Sequence, residues 1–248
     1  MIALLCPTRA RPEQCKKMLN SVYATASNKG GVFPYIALTD GFADSPLILD
    51  SDTTNTFIRT PDGMPTAYKW NVLAELALKS GLNHKLFMLC ADDIVFQTPC
   101  WDKALLDHYN ALENKIHVYH LRDGRTGHGT PHPIVTREYI EAMGYFLPPL
   151  FLHWFVDTWT VEIAKAAHCF THLTDYMLDH IKPSDEGKPD ETHSRIRQWG
   201  WHDRDVWVDK HSQHILEFEK RRLQANIISQ QSMAERLESR LKSFGVMG

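Results

Sequence analysis

The chain has 248 residues, of which 43% are hydrophobic and 23% charged, and its formal net charge is -3. This length suits one large α/β domain or two small ones, and the slight negative charge argues against a broad basic surface for duplex nucleic acid. The five cysteines form no CxxC pair and no apolar run approaches the ~18 residues of a membrane span, so we expect a cytoplasmic protein without a disulfide framework or a transmembrane helix.

The first forty residues predict a β-α-β unit. Residues 2–6 are a continuous apolar run, which is typical of a buried parallel strand, and a loop follows at 7–12. A helix is predicted from Pro12 to about Ala26, because proline and an acid occupy its first turn, and a second strand covers 32–40. Because polar residues follow both strands, this order predicts a ligand site at the carboxyl edge of an open sheet.

Strands and helices continue to alternate along the chain. Strands are predicted within 47–60, around 86–90 and at 115–121, and helices at 66–80, 99–114, 137–143 and 159–167. Residues 171–179 form a short strand or helix that reaches His180, and 183–189 are a polar loop.

The C-terminal region predicts one long helix from His214 to Phe244. Its apolar residues follow an alternating four-three spacing over roughly four heptads, which indicates a coiled coil or a helical hairpin partner, and therefore a possible homodimer. The alternative is an amphipathic helix that packs on its own domain.

Two neighbouring carboxylates, Asp92 and Asp93, follow the strand that contains Phe87. Burying unpaired charge costs several kcal/mol, so an acidic pair at a strand end suggests a bound cation. The oxygen-preferring candidates are Mg²⁺ and Mn²⁺. The alternative is a solvated turn with two acidic residues.

Several landmarks together resemble nucleotide-sugar glycosyltransferases of the GT-A fold, family-2 type. Residues 4–12 look like their first strand and loop, Ala91-Asp92-Asp93-Ile94 looks like their DxD-type metal motif, and 132–135 resemble their acceptor-side segment. Asp157 lies where the family keeps its catalytic base, and His180 where many members place a further metal ligand. Ala91 departs from the motif, which leaves open whether Asp92 or Asp93 contacts the metal.

The resemblance covers about residues 1–200 and implies an α/β fold of the GT-A (Rossmann-like) type. A mixed, mostly parallel sheet would be flanked by helices, with a long helix at the C-terminal end. Residues 1–205 would form the glycosyltransferase domain, with a nucleotide-binding half at 1–98 and an acceptor half at 99–205, and 206–248 a helical extension. A compact chain with such a tail is the sort found in bacteriophages, which would place it in the cytoplasm of the host cell.

The resemblance implies metal-dependent transfer of a sugar from a nucleoside-diphosphate sugar, with a UDP-sugar as the favoured donor, to an acceptor hydroxyl. Asp157 would be the general base of an inverting reaction. Asp93 and His180 would bind Mn²⁺ or Mg²⁺, which neutralises the departing diphosphate. The donor site would comprise residues near the first strands and the acidic pair: Pro7, Thr8, Arg9, Arg11, Asp40, Lys69 and Asp92.

Five of these residues also have a purely structural alternative. Asp40 could form an Asx turn with the glycine that follows it, and Asp157 could cap the helix after it. Arg11 could be a surface charge at a helix start, Lys69 a solvated helix residue and His180 a surface histidine.

Three further expectations concern function. The acceptor could be a hydroxymethylated base in phage DNA, a glycan or a protein. Stacking on a sugar or base is predicted for Trp154, Trp159, Trp199 and Trp201, and the alternative is that they are ordinary core or interface aromatics. Residues 190–192 would be mobile and close on the donor. The competing functions are a nucleotidyltransferase, disfavoured because residues 8–12 contain no glycine, and a non-catalytic assembly protein with a degenerate glycosyltransferase fold.

Overall fold

The computed structural model describes residues 1–39, 55–124, 131–181 and 191–243, apart from the side chains of His193 and of 231–243. Within these ranges it has eight strands, Ile2–Thr8 (β1), Val32–Thr39 (β2), Thr56–Thr60 (β3), Leu86–Leu89 (β4), Ile94–Phe96 (β5), Val118–Asp123 (β6), Ile134–Thr136 (β7) and Phe170–His180 (β8). The α-helices in the same ranges are Pro12–Thr25 (α1), Thr66–Lys79 (α2), Trp101–Ala111 (α3), Arg137–Met143 (α4), Val156–Ala166 (α5), Glu191–Val208 (α6) and Lys210–Ser243 (α7).

All eight strands belong to one mixed sheet with the order β3-β2-β1-β4-β7-β6-β8-β5. The pairs β1–β2, β1–β4, β2–β3 and β6–β8 are parallel, whereas β4–β7, β6–β7 and β5–β8 are antiparallel. The predicted fold class, a mostly parallel sheet flanked by helices, is confirmed. Because β1 lies between β2 and β4, the carboxyl ends of these three strands meet at one edge.

The alternation of side chains along β1 explains why helices cover both faces of the sheet. Ile2, Leu4 and Cys6 are fully buried against α1 and α3 on one face. Ala3 and Leu5 are fully buried against α2, α4, α5 and α7 on the other. No helix in the described part of the chain is both long enough and apolar enough to cross a bilayer.

The structure corrects two predicted boundaries and assigns one segment whose type the sequence left open. The strand expected from residue 115 begins only at Val118, because the N–H groups of Ile116 and His117 donate to the side chains of Asn114 and Thr136. Residues 171–179, for which the sequence allowed either a strand or a helix, belong to the eleven-residue strand β8. The helix expected from residue 159 begins at Val156.

The first half of α7 packs against its own domain. Leu216 and Leu223 are buried in the same cluster as α5, and the Glu219 carboxylate accepts hydrogen bonds from Tyr145 and Trp159 at 2.6 and 2.7 Å. The coiled-coil interpretation is therefore wrong for residues 214–230, where the intramolecular alternative holds. A homodimer through the remainder of the helix stays a prediction.

Candidate active site

A cavity of about 720 Å³ opens at the carboxyl ends of β1 and β4, between α2, α5 and the start of α6. Its lining includes nine of the ten residues predicted for the site: Pro7, Thr8, Arg9, Arg11, Lys69, Asp92, Asp93, Asp157 and His180. The tenth, Asp40, lies outside the described residues. These residues are far apart in the chain, and the parallel strand order brings them together.

Asp92 is held by protein groups on both carboxylate oxygens. The Thr8 hydroxyl donates a hydrogen bond to Oδ2 at 2.7 Å, and Arg11 Nη1 lies 3.3 Å from Oδ1. Burial and the neighbouring charge of Asp93 raise the pKa of Asp92 to about 6. Asp92 therefore links the loop after β1 to the loop after β4 and is poorly placed to bind a metal.

Asp93 faces His180 across the cavity wall. The distance from Asp93 Oδ1 to His180 Nε2 is 3.3 Å, and no described residue other than His180 offers Oδ1 a hydrogen bond. Burial alone would raise the pKa of Asp93, but the hydrogen-bonding contribution and charge of His180, with smaller contributions from His132 and Arg11, outweigh burial and lower it. On its other side, His180 Nδ1 lies 4.0 Å from Asp123 Oδ2.

This pair fits a hard divalent cation. A gap of 3.3 Å suits two adjacent positions around an ion whose ligands lie at about 2.1 Å. No three His, Cys, Asp or Glu side chains among the described residues converge as a metal site. Two protein ligands are nevertheless enough for Mg²⁺ or Mn²⁺, which commonly complete their sphere with water and phosphate oxygens. The geometry thus favours Asp93 over Asp92 as the metal ligand.

Lys69 and Arg11 are buried, so their solvent-exposed alternatives are wrong. The Lys69 ammonium donates a hydrogen bond to Thr39 Oγ1 at 2.7 Å, and the Thr39 hydroxyl donates to the Thr8 carbonyl at 3.0 Å. Arg11 lies between the two carboxylates, with Nη1 3.9 Å from Asp93 Oδ2. Any contact of Arg11 with the donor, for whose site it was predicted, thus competes with its contacts to both acids.

An ion-pair network joins the loop after β1 to the start of α6. Arg9 Nε lies 2.7 Å from Asp62 and Arg9 Nη2 2.9 Å from Glu191, and Arg195 Nη1 lies 2.8 Å from Asp62. Arg9 and Arg195 hold the pKa of the Asp62 carboxyl well below its usual range. Residues 191–192, expected to be mobile, belong to helix α6, and Thr192 contacts Arg9. The sequence offered no signal for Asp62 beyond its place in a predicted loop.

Asp157 lies in the first turn of α5 and is half-buried at the cavity wall. The N-cap is Phe155, whose φ of 65° turns the chain into the helix, so the predicted capping role of Asp157 is wrong. Burial raises the pKa of Asp157, and this effect outweighs the backbone N–H groups of Thr158 and Asp157 itself. The result is a carboxylate that accepts a proton more readily than a solvated aspartate.

The aromatic residues differ in their access to the cavity. Trp154 and Trp199 line it, and the His153 ring stacks on Trp70 with centroids 5.7 Å apart. Trp159 is fully buried and Trp201 is 64% exposed, and neither is among the lining residues, so the stacking prediction is wrong for Trp159. Stacking on a sugar or base therefore stays a prediction for Trp154 and Trp199.

A buried aspartate on α6 organises the loop that leads to Asp157. Both oxygens of Asp203, which is fully buried, accept hydrogen bonds at 2.7 Å, from the N–H groups of Leu152, His153 and Trp154. The loop before α5 therefore depends on a side chain about fifty positions later in the chain.

We expect Asp203→Ala to destabilise the protein by about 3 kcal/mol or more, because three N–H groups lose an ionised acceptor and each buried unsatisfied group costs about 1–3 kcal/mol. Chemical denaturation measures the change. The matched control is Asp205→Ala, an exposed position on the same helix, which should change the free energy of unfolding by less than about 0.5 kcal/mol. Equal effects of the two variants would contradict this role of Asp203.

Comparisons with known proteins identify the fold. No protein-family model and no curated protein matches the sequence. The solved structure of S. aureus TarS in complex with UDP-GlcNAc superposes with a TM-score of 0.58 at 14% identity, over 78% of this chain and 60% of that one. Mannosyltransferase PcManGT from Pyrobaculum calidifontis, in complex with GDP-Man and Mn²⁺, gives 0.55 at 14% identity, over 99% of this chain and 79% of that one. The chain thus has the GT-A fold and spans about three fifths of the TarS structure's length.

Proposed function

We propose that this GT-A chain is a metal-dependent glycosyltransferase that moves a sugar from a nucleoside-diphosphate sugar to an acceptor hydroxyl. The observation that carries the proposal is the Asp93–His180 pair, 3.3 Å apart, in the same cavity as Asp157. The structural neighbours support the donor class, because TarS was solved with UDP-GlcNAc and PcManGT with GDP-Man and Mn²⁺.

The donor's diphosphate would lie next to Asp93 and His180. When bound there, Mn²⁺ or Mg²⁺ would supply positive charge to the departing diphosphate, and the imidazole ligand favours Mn²⁺. Pro7, Thr8 and Arg9 would contact the nucleoside, with the favoured donor a UDP-sugar. Asp92 would act indirectly, because it holds Thr8 and Arg11 in place.

Asp157 would bind the acceptor hydroxyl and remove its proton as the hydroxyl attacks the anomeric carbon. One direct attack assisted by one base inverts the configuration at that carbon. The acceptor hydroxyl would belong to a hydroxymethylated base of phage DNA, a glycan or a protein, and transfer to each class is a separate assay. In this proposal residues 1–205 form the catalytic domain and residues 206–248 form a helical extension.

The test is release of nucleoside diphosphate from a panel of UDP-, GDP- and dTDP-sugars with Mn²⁺, Mg²⁺ or EDTA. We expect release from one donor, dependence on the divalent cation, loss in EDTA and recovery when Mn²⁺ is added in excess. Calorimetry with the same donors serves as the control for a missing acceptor, because a transferase binds its donor without turnover. No binding of any donor in the presence of Mn²⁺ would overturn the proposal. Pyrophosphate release from a nucleoside triphosphate and a sugar phosphate would instead identify a nucleotidyltransferase.

A further inference from the structure

His132 has an unusual environment at the edge of the cavity. It is 4% exposed, lines the cavity, and neither ring nitrogen makes a hydrogen bond with a described residue. Its φ is 66°, in the left-handed region, and it stands between Pro131 and Pro133. Both the backbone and the side chain of His132 are thus in unfavourable states.

These features destabilise the folded state, and no hydrogen bond of the His132 ring with a described residue offsets them. A residue other than glycine with a left-handed backbone costs about 1–2 kcal/mol, and a following proline restricts the backbone further. An unsatisfied buried polar group costs about 1–3 kcal/mol more. Such strain persists where the surrounding structure enforces it, and it concentrates at functional sites. Here the pairing of β4 with β7 holds the backbone next to His132 in place, since the Leu89 N–H donates a hydrogen bond to the Pro133 carbonyl at 3.0 Å.

The neighbours of His132 indicate what its ring would bind. Its ring packs edge-on against His180, with centroids 5.0 Å apart and planes at 67°. His132 lines the same cavity as Asp93, and Asp93 Oδ1 lies 3.3 Å from Nε2 of the same His180 ring. A neutral imidazole with an unused nitrogen beside a carboxylate and a second imidazole is a ligand for a divalent transition metal.

We propose that His132 is a third protein ligand of the divalent cation, which makes the site one carboxylate and two imidazoles. This inference rests on the proposed function for the location of the metal. Among the described residues the three side chains do not yet converge as a metal site, so coordination by all three requires the His132 ring to turn about its side-chain torsions while its backbone stays in place. Three further positions remain for phosphate oxygens and water. Two imidazoles select Mn²⁺ over Mg²⁺.

The experiment uses Mn²⁺ and the full chain without donor. Pulsed electron paramagnetic resonance counts the imidazole nitrogens on bound Mn²⁺, and calorimetry measures the affinity. We expect two coordinated imidazoles in the wild type, one in His132→Asn, and at least about tenfold weaker Mn²⁺ binding in that variant. Asparagine was chosen because it tolerates the left-handed backbone. His132→Ala is the second variant. Thermal melts without metal check that each variant folds.

The matched control is His120→Asn. His120 is also buried and has two ring nitrogens without hydrogen-bond partners among the described residues, but it packs on His172 and is not among the lining residues of the cavity. The His120→Asn variant should leave the number of imidazole nitrogens on bound Mn²⁺ and the Mn²⁺ affinity unchanged. If His132→Asn and His120→Asn weaken binding equally, the loss reflects general damage and the inference is wrong.

The remaining outcomes separate this inference from the proposed function. A single imidazole on wild-type Mn²⁺, or no Mn²⁺ binding, overturns the role of His132 even if neither variant folds. Metal-dependent donor turnover with one coordinated imidazole overturns this inference and leaves the transferase standing. Two coordinated imidazoles without donor binding would support the metal site and overturn the transferase.

Discussion

Replacing Asp93 with alanine is expected to lower donor turnover on the order of 10³-fold, because a bound cation supplies several kcal/mol of charge stabilisation and each 1.36 kcal/mol is a factor of ten in rate. Asp93 presents Oδ1 to His180 at 3.3 Å, and this oxygen has no competing hydrogen bond from a described residue. Loss of the carboxylate should also abolish tight Mn²⁺ binding. Steady-state release of nucleoside diphosphate and calorimetry with Mn²⁺ measure the two effects.

Two comparison variants make this result specific. Asp92→Asn keeps one acceptor for the Thr8 hydroxyl, so we expect a loss of only about tenfold, the equivalent of one hydrogen bond. Asp175→Ala, at an exposed position on the strand that carries His180, should leave turnover unchanged. If Asp92→Asn lost more Mn²⁺ affinity than Asp93→Ala, the assignment of the two acids would be reversed.

Asp157→Asn is expected to lower kcat by about 10²–10⁴-fold while donor binding stays intact, because general base catalysis contributes a factor of this size. The amide keeps the shape of the side chain but cannot accept the proton of the acceptor hydroxyl. The measurement is transfer to a saturating acceptor, together with donor affinity by calorimetry. The control Glu162→Gln changes an exposed carboxylate on the same helix, α5, and should keep wild-type kcat.

The pH dependence gives an independent check on Asp157. Burial raises its pKa above the ordinary value of 3.8, so the ionised, active form is lost as the pH falls through that raised pKa. The wild type should therefore show an acid limb in kcat that begins at a higher pH than a solvated aspartate would give. This limb should be missing from the residual activity of Asp157→Asn. An unchanged acid limb in the variant would show that a residue other than Asp157 is the general base.

Local sequence signals determined the order of the strands and helices. Pro12 and an acid mark the start of α1, and apolar runs mark β1 and β4, because these patterns act within a few residues of the backbone that they organise. The same signals located the functional edge, since polar residues follow β1 and β4 and parallel neighbours place those ends together. Nine of the predicted site residues accordingly line one cavity.

Only the tertiary structure decided which groups are buried and what they contact. Asp92 and Asp93 are equivalent in the sequence, but Thr8, 84 positions away, binds one of them and leaves the other facing His180. Burial of Lys69 depends on Thr39, and the packing of α7 on α5 depends on Glu219.

The residues that sequence reasoning missed were missed for the same reason. Asp62 pairs with Arg9 and Arg195, and Asp203 holds the loop before Asp157. These contacts join residues about fifty or more positions apart, and no local propensity encodes such a pairing, because its free energy arises only when the folded chain excludes water from both partners. The sequence of this protein therefore determined its elements and the edge of the sheet where its chemistry lies, and the tertiary structure determined the role that each charge can take there.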